Sequence, residues 1–544
     1  MSNMNRIISL GSRPDLESWS RIEYQKKKPW FSIVMYFETV QLMLGLAALE
    51  VWYISQLDVK SAYLYGKLDK EIYIEQPEGF KIPGQENKVL HLQCTLYRLK
   101  QARLAWWWTL NESMRELVFK CLKSNTRIFL FKWKGSWMVI AIIYIDDALF
   151  HGPNKAIVDE VKAHFMQKWK YRDLGKVCEF LHMCIHQNGH KIFIDQCTYL
   201  NTVLQYCGMA NAKSVPTPLP ARYYPMPNIE PPNIVLQSRF QQVIRLLLYL
   251  SLRTCLDIAY AVTALVCQST NLSEDYLNKV LYICCYLIGM WNYSLDYNGH
   301  SGLKIMACID SDWGSDPTLC HSQTGHFFKI AGRLFSWLLH MQKSITLSIT
   351  KAEYMALSNY SHQAIWIWTL LHELQYKEQP IPICGDNQGS IFMALNPIME
   401  KHAKHIDIQY HFIHDAVLDN KMQLYYIKGS ENPTNMFTKN LDSISTKQLY
   451  ALSTTHTPYQ VLSKGECWTC TIKAAVPVPI CWDPIVYQCI HMYPVYTRLT
   501  GLLDLDLDWG LGPIRWSSQT LIVLKIHVHY NMNICSLSLY PWHN

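Results

Sequence analysis

Apolar residues recur along this chain in two rhythms: short runs of about four to eight that read as strands, and longer stretches at helical spacing. From about residue 36 to about 220 the two alternate. Within that region "MVIAIIYIDDALFHG" (Met138 to Gly152) predicts an apolar strand, a turn carrying an Asp pair, and a returning strand. A helical block is expected from about Gln237 to Leu295. A second alternating pattern runs from about Leu303 to Leu441, with strand-like "LKIMACID", "HFFKIAG" and "QLYYIKG" and helix-like "KAEYMALSNYSHQAIWIWTLLHEL". Between the blocks, Ser214 to Asn233 is dense in proline and predicts a linker. The residues before about 35 read as polar and irregular, and those after about 445 keep no clear period.

Composition changes this picture little. With 544 residues and 49% hydrophobic content the chain can bury several cores. Charged residues, at 17%, fall below the roughly 25% of an average soluble domain, so the surface is poor in charge. A net charge of +7 permits a nucleic-acid partner without demanding one. Met1 to Lys28 lacks the apolar core of a signal peptide, and the longest uncharged apolar stretch, Val280 to Leu295, is too short to span a membrane. The 18 cysteines are therefore expected as reduced thiols, the location as cytoplasmic, and no membrane as a partner.

Charge placement changes it more. Asp146 and Asp147 lie side by side in an apolar run, where they repel and where desolvation raises the cost. A divalent cation is the most economical compensation. Asp58, at the end of the β-like run "ISQLDV", supplies a third carboxylate. Three carboxylates on two neighbouring strand ends can hold two Mg²⁺ ions, one activating a primer 3′-hydroxyl and the other stabilising a leaving pyrophosphate. A lone Asp pair is more often a solvated turn, but the surrounding text argues otherwise.

In order along the chain, "QLDVKSAYLYGKLDKEIYIEQPEGF", "LYRLKQARLAWW", "YIDD", "DLGKVCEFL" and "VPTPLP" resemble the reverse transcriptase of copia-type retrotransposon polyproteins. The resemblance implies a polymerase palm, an antiparallel sheet with helices, in which Asp58, Asp146 and Asp147 bind Mg²⁺, with Mn²⁺ as a substitute. It places Tyr144 beside the primer terminus and Tyr63 against the sugar 2′ carbon. Lys100 and Gln101 fall where the family lines the nucleotide pocket. For these last three the alternatives are a core aromatic and exposed helix-start residues.

"CIDSDWGSD", "TKAEYMAL" and "CGDNQGSIFMALNP" set Asp310, Glu353 and Asp386 at a strand end, in a helix and at a second strand end. Ribonuclease H arranges two Mg²⁺ and an attacking water in this way. With "GHFFKIAGRLFSW" and "KHIDIQYHFIHD", the text resembles the ribonuclease H (RNase H) domain that follows reverse transcriptase in the same polyprotein. The implied fold class is α+β followed by α/β, and the implied partners are an RNA template, a DNA primer, an RNA–DNA hybrid and deoxynucleoside triphosphates. His402, His405, His411 and His414 lie where the family has a helix, and a partly exposed helix face is expected there rather than zinc.

The family pattern is broken in places. Asn435 in "ENPTNMFTK" occupies a position that is acidic in the family, so impaired or absent hydrolysis is expected. Arg98, His182 and Arg245 replace glycines, and Arg103 and Leu256 replace prolines. Tyr282, Cys285 and Ile288 occupy basic positions of a helix, removing phosphate contacts. The expected organisation is a remnant at 1–35 with the fingers region largely missing, a palm at 36–220, a linker and helical connection at 221–300, an RNase H-like domain at 301–445 and an unmatched, irregular tail at 446–544. In that tail Cys467, Cys470, Cys481 and Cys489 have poor spacing for zinc. Three readings stand: an active polymerase, a catalytically dead relic, and a retained non-catalytic nucleic-acid-binding protein.

Overall fold

The computed structural model describes residues 8–11, 37–445 with short interruptions (the longest 397–411), and 455–456. The first elements are strand β1 (Ile8–Gly11), helix α1 (Phe37–Glu50), strands β2 (Tyr53–Val59), β3 (Tyr73–Glu75) and β4 (Val89–Leu92), and helix α2 (Ala102–Glu116). Strands β5 (Phe119–Cys121), β6 (Ile128–Trp133), β7 (Ser136–Tyr144) and β8 (Asp147–Gly152) follow, then helix α3 (Lys155–Met166) and strand β9 (Tyr171–Lys176). A six-stranded antiparallel sheet in the order β5-β6-β7-β8-β2-β9 forms from these.

Strand β7 shows why the run "MVIAIIY" carries no polar alternation. Side chains alternate between the two faces of a strand. Val139, Ala141 and Ile143 join the core under α2 and α3, while Ile140, Ile142 and Tyr144 join a larger core containing α1. A sheet covered on both faces needs apolar residues at every position. Helix α1 is buried from Phe37 to Ala48, so it too is apolar nearly all round. Gly45 lets it approach the strand bearing Ile330, whose Cγ2 would lie 2.7 Å from an added Cβ.

A small sheet in the order β1-β4-β3 stands apart. Its strand Ile8–Gly11 corrects the expectation that residues 1–35 are wholly irregular; backbone pairing with β4 orders it.

The connection consists of strands β10 (Glu179–Phe180), β11 (Met183–Asn188) and β12 (Lys191–Asp195), helices α4 (Cys197–Tyr206), α5 (Ile234–Arg253), α6 (Ala259–Cys267) and α7 (Glu274–Ile288), and strand β13 (Tyr293–Asn298). The expected helical block therefore ends early, because "YSLDYN" pairs antiparallel with β12. Tyr282, Cys285 and Ile288 are half-buried on α7, and Leu256 is buried in a short 3₁₀ turn where it fits without a proline.

The last unit contains strands β14 (Met306–Asp312), β15 (Gln323–Ile330) and β16 (Arg333–Met341), helix α8 (Ile349–Glu373), strand β17 (Ile381–Gly385), helix α9 (Gln388–Leu395) and strand β18 (Met422–Tyr426). Its sheet runs β16-β15-β14-β17-β18, antiparallel over the first three strands and parallel over the last three. The fold class is thus a palm-type antiparallel sheet with helices, followed by an RNase H-like α/β unit. Among the described residues no helix is long and apolar enough to cross a membrane.

Two candidate active sites

The first site forms at the β7–β8 hairpin. Ile145 and Asp146 make its two-residue loop, and Asp147 opens the return strand directly opposite both Tyr144 and, on β2, Asp58. Ile145 has φ +57, a strained conformation for a β-branched residue. Three hydrogen bonds brace the strand ends: the Trp106 indole donates to the Ile145 carbonyl at 2.7 Å, the Val59 amide to the Asp146 carbonyl at 2.7 Å, and Gln56 Nε2 to Asp147 Oδ1 at 3.3 Å. Burial, with Asp58 alongside, pushes Asp146 up to about 6. Burial and the Asp146 charge push Asp147 up to about 7. Asp58 is raised by burial, against the pull of Arg172 and Lys60. Burial is the first cause of all three shifts, and for Asp146 and Asp147 a neighbouring carboxylate adds to it.

Tyr63 is 9% exposed, with its ring edge-on to Tyr97 at 4.7 Å between centroids. Arg103, the residue in place of the family's proline, donates a hydrogen bond to it. Gln101 caps the start of α2 without a side-chain capping bond. Tyr144 is 3% exposed and packs 5.9 Å from the Phe37 ring, so its side chain belongs to the core. Arg98 and Lys100 lie outside the described residues, as do His402, His405, His411 and the four tail cysteines. His414 sits on a helix over 412–418.

The second site is assembled more tightly. Asp310 on β14, Glu353 on α8 and Asp386 just beyond β17 each present a carboxylate oxygen within 4.8 Å of the others. Among the described residues no other three acidic, Cys or His side chains gather so closely, the palm trio included. Glu353 accepts the Ser311 amide at 3.0 Å, and Thr438 Oγ1 donates to Asp310 Oδ2 at 2.6 Å. Burial and the charges of Asp310 and Asp386 push Glu353 up to about 9. Burial also lifts Asp310 to about 6, opposed by the Thr438 hydrogen bond. Asn435 fills the fourth position: its Nδ2 donates to Asp386 Oδ2 at 3.1 Å and to the Gly429 carbonyl at 2.7 Å. Its Oδ1 accepts from Lys439 Nζ at 3.2 Å. An all-oxygen donor set of carboxylates, two buried and one half-buried, fits a hard divalent cation such as Mg²⁺ or Mn²⁺ and disfavours a soft one.

Sequence reasoning missed Trp106, Gln56, Tyr97 and Thr438. The only signals were a tryptophan run at 106–108 that does not say which ring turns inward, and a threonine inside "FTK".

Residues 13–221 match the family described as reverse transcriptase (RNA-dependent DNA polymerase). The chain is 30% identical over 416 residues to the retrovirus-related Pol polyprotein from transposon TNT 1-94 of Nicotiana tabacum, covering 75% of this chain and 31% of that protein. It is 29% identical over 415 residues to the corresponding polyprotein from transposon RE1 of Arabidopsis thaliana, covering 76% of this chain and 28% of that protein. The chain thus spans less than a third of the length of either relative. Among solved structures, the foamy viral protease-reverse transcriptase in complex with an RNA/DNA hybrid is similar at a TM-score of 0.42 and 11% identity, covering 72% of this chain and 45% of that one. The strings from "QLDVKSAYLYG" to "VPTPLP" and the matches to transposon polyproteins agree, and the chain belongs to the copia-type retrotransposon Pol polyproteins, of which it carries the reverse transcriptase region.

Proposed function

We propose that the chain acts as an RNA-directed DNA polymerase joined to a ribonuclease H, each using a pair of divalent metal ions. The observation that supports this best is the pair of carboxylate trios, one on each sheet, in which burial and neighbouring carboxylates push up Asp146 and Asp147 in the first and Asp310 and Glu353 in the second. In the palm, Asp58, Asp146 and Asp147 would hold Mg²⁺, and in the second unit Asp310, Glu353 and Asp386 would. Bound there, Mg²⁺ supplies Lewis-acid stabilisation of the phosphoryl group and acidifies the attacking hydroxyl or water. The protein's own share is positioning. Trp106 and the Val59 amide fix the strained loop that presents Asp146, and Tyr63, edge-on to Tyr97, walls the sugar side of the nucleotide pocket. In the second unit Thr438 and the Ser311 amide hold two carboxylates in place. The partners are an RNA template, a DNA primer, deoxynucleoside triphosphates and the resulting hybrid, met in the cytoplasm.

A second reading, loss of catalysis, is favoured by Asn435, which keeps a hydrogen bond to Asp386 where the family has a charge. Primer extension on an RNA template with Mg²⁺ and then Mn²⁺ separates the two, with the Asp146→Asn, Asp147→Asn variant as blank. Extension that disappears in the blank supports the polymerase; no extension by folded protein sinks it. For the hydrolytic half, Asn435→Asp is expected to raise cleavage of a labelled hybrid at least about tenfold by restoring about 1.4 kcal/mol or more of transition-state stabilisation.

A further inference from the structure

The two strand carboxylates of the second site are in step because β14 and β17 are parallel, with Ala307 opposite Ile383 and Cys308 opposite Cys384. Two residues further along stand Asp310, still on β14, and Asp386, one residue beyond the end of β17. Side chains alternate along a strand, so Cys308 shares a face with Asp310, and the assembly of Asp310 with Asp386 brings the second aspartate to the same side. Cys308 and Cys384 therefore face each other one step behind the carboxylates. Their thiols are hydrogen-bonded to one another, both are free, and they are 2% and 8% exposed. Neighbouring strands lie about 4.8 Å apart, inside the roughly 4.4–6.8 Å that a disulfide's Cα atoms can span.

We propose that Cys308 and Cys384 form a reversible disulfide that controls divalent-ion binding at Asp310, Glu353 and Asp386. The oxidant is a hydroperoxide, and hydrogen peroxide is small enough for a nearly closed site. Cys384, the more accessible sulfur, attacks one peroxide oxygen as its thiolate. The O–O bond breaks, leaving a sulfenic acid on Cys384 and releasing water once the departing hydroxide takes up the thiol proton. The Cys308 sulfur then attacks the Cys384 sulfur, forming the S–S bond and expelling a second water. Two thiols and one hydrogen peroxide become one disulfide and two waters. The bond draws the two sulfurs together, and with them the strand ends that space Asp310 from Asp386. Dithiothreitol reverses it by thiol–disulfide exchange. The effect on ion binding rests on the metal reading above; the disulfide does not.

The test uses the full chain, oxidised with hydrogen peroxide and cleared with catalase. Peptide mapping reads the disulfide, and electron paramagnetic resonance reads Mn²⁺ binding, less the binding that survives in Asp310→Asn. The expected result is a peptide pair linked through Cys308 and Cys384, two hydrogens lighter than the separate peptides. Mn²⁺ affinity should fall at least about fivefold, recover with dithiothreitol, and be indifferent to peroxide in Cys384→Ala. Cys308→Ala serves in its place if Cys384→Ala melts early. Recovery of both cysteines as alkylated thiols after peroxide overturns the proposal. A linked pair with unchanged Mn²⁺ affinity overturns the control of binding. Reduced protein that binds no Mn²⁺ at this site would instead sink the metal reading, with the linked peptide still scored on its own.

Discussion

At the scale of single residues, backbone conformation and burial decide what each substitution does. His182 stands where the family has glycine, and in the β10–β11 turn it adopts φ +55, next to Leu181 at φ +51. Two positive values in a two-residue loop mark a hairpin turn that glycine fills without steric cost. The imidazole gains a stack on Tyr199 at 5.6 Å and a long contact with Glu179 at 3.9 Å, but with 43% of the side chain exposed these are screened and weak. The conformational penalty wins. His182→Gly should raise stability by about 0.5–1 kcal/mol, read as a higher urea midpoint at unchanged slope. His151 is the opposite case. It is wholly buried, neither ring nitrogen has a hydrogen-bond partner, and burial drives its pKa down to about 3. An unfolded histidine titrates near 6.5. Its neutral form is therefore favoured by folding above that value, and stability is lost as pH falls from about 6.5 toward about 3. Unfolding titrations at pH 7, 6, 5 and 4 should show wild type losing about 1.4 kcal/mol per unit below pH 6 relative to His151→Phe.

At the scale of elements, the first hairpin was legible and its fastening was not. An apolar run broken by two aspartates sufficed to predict β7, the loop and β8, because a strand buried on both faces has no other composition available. The same text could not show that Asp146 sits in the loop while Asp147 belongs to the strand, nor that Trp106 reaches over from α2. Tertiary hydrogen bonds leave no periodicity in sequence. Likewise Asp310, Glu353 and Asp386 were readable from their places at strand and helix positions. Their 4.8 Å assembly depends on the parallel register of β14 and β17, which only the folded sheet reveals. Tyr144 shows the limit of transferring a role by position: its tyrosine identity was visible, its burial against Phe37 was not. The Trp106 bond carries an expectation of its own. Trp106→Phe should cost about 1–3 kcal/mol, because it strands the Ile145 carbonyl inside a strained loop. The same change at Trp108, which is 57% exposed, should be neutral. Equilibrium unfolding of both variants in urea checks the difference.

At the scale of the molecule, the palm and the RNase H-like unit share one apolar core through α1 and the connection. A polar clasp joins them as well. The Glu373 carboxylate, at the end of α8, accepts the amides of Lys123 and Ser124 at 3.0 and 2.9 Å and the Ser124 hydroxyl. The Trp366 indole donates to the Ser124 carbonyl at 3.2 Å. These bonds hold Glu373 below its ordinary carboxylate range even though partial burial works against them. Glu373→Ala should remove about 1–3 kcal/mol and separate one unfolding transition into two, seen as non-coincident changes in tryptophan fluorescence and far-ultraviolet circular dichroism.

Helix α8 carries Glu353 of the second carboxylate trio near its start and this clasp at its end. The twenty residue steps from Glu353 to Glu373, at about 1.5 Å each, make a strut of about 30 Å. A strut pinned at both ends has one permitted length: an extra turn of helix in α8 would carry Glu353 about 5.4 Å from Asp310 and Asp386, or else pull Glu373 off the Lys123 and Ser124 amides. The carboxylate trio and the joint between the two units are therefore gauged by the same helix, and neither can be lengthened without loosening the other.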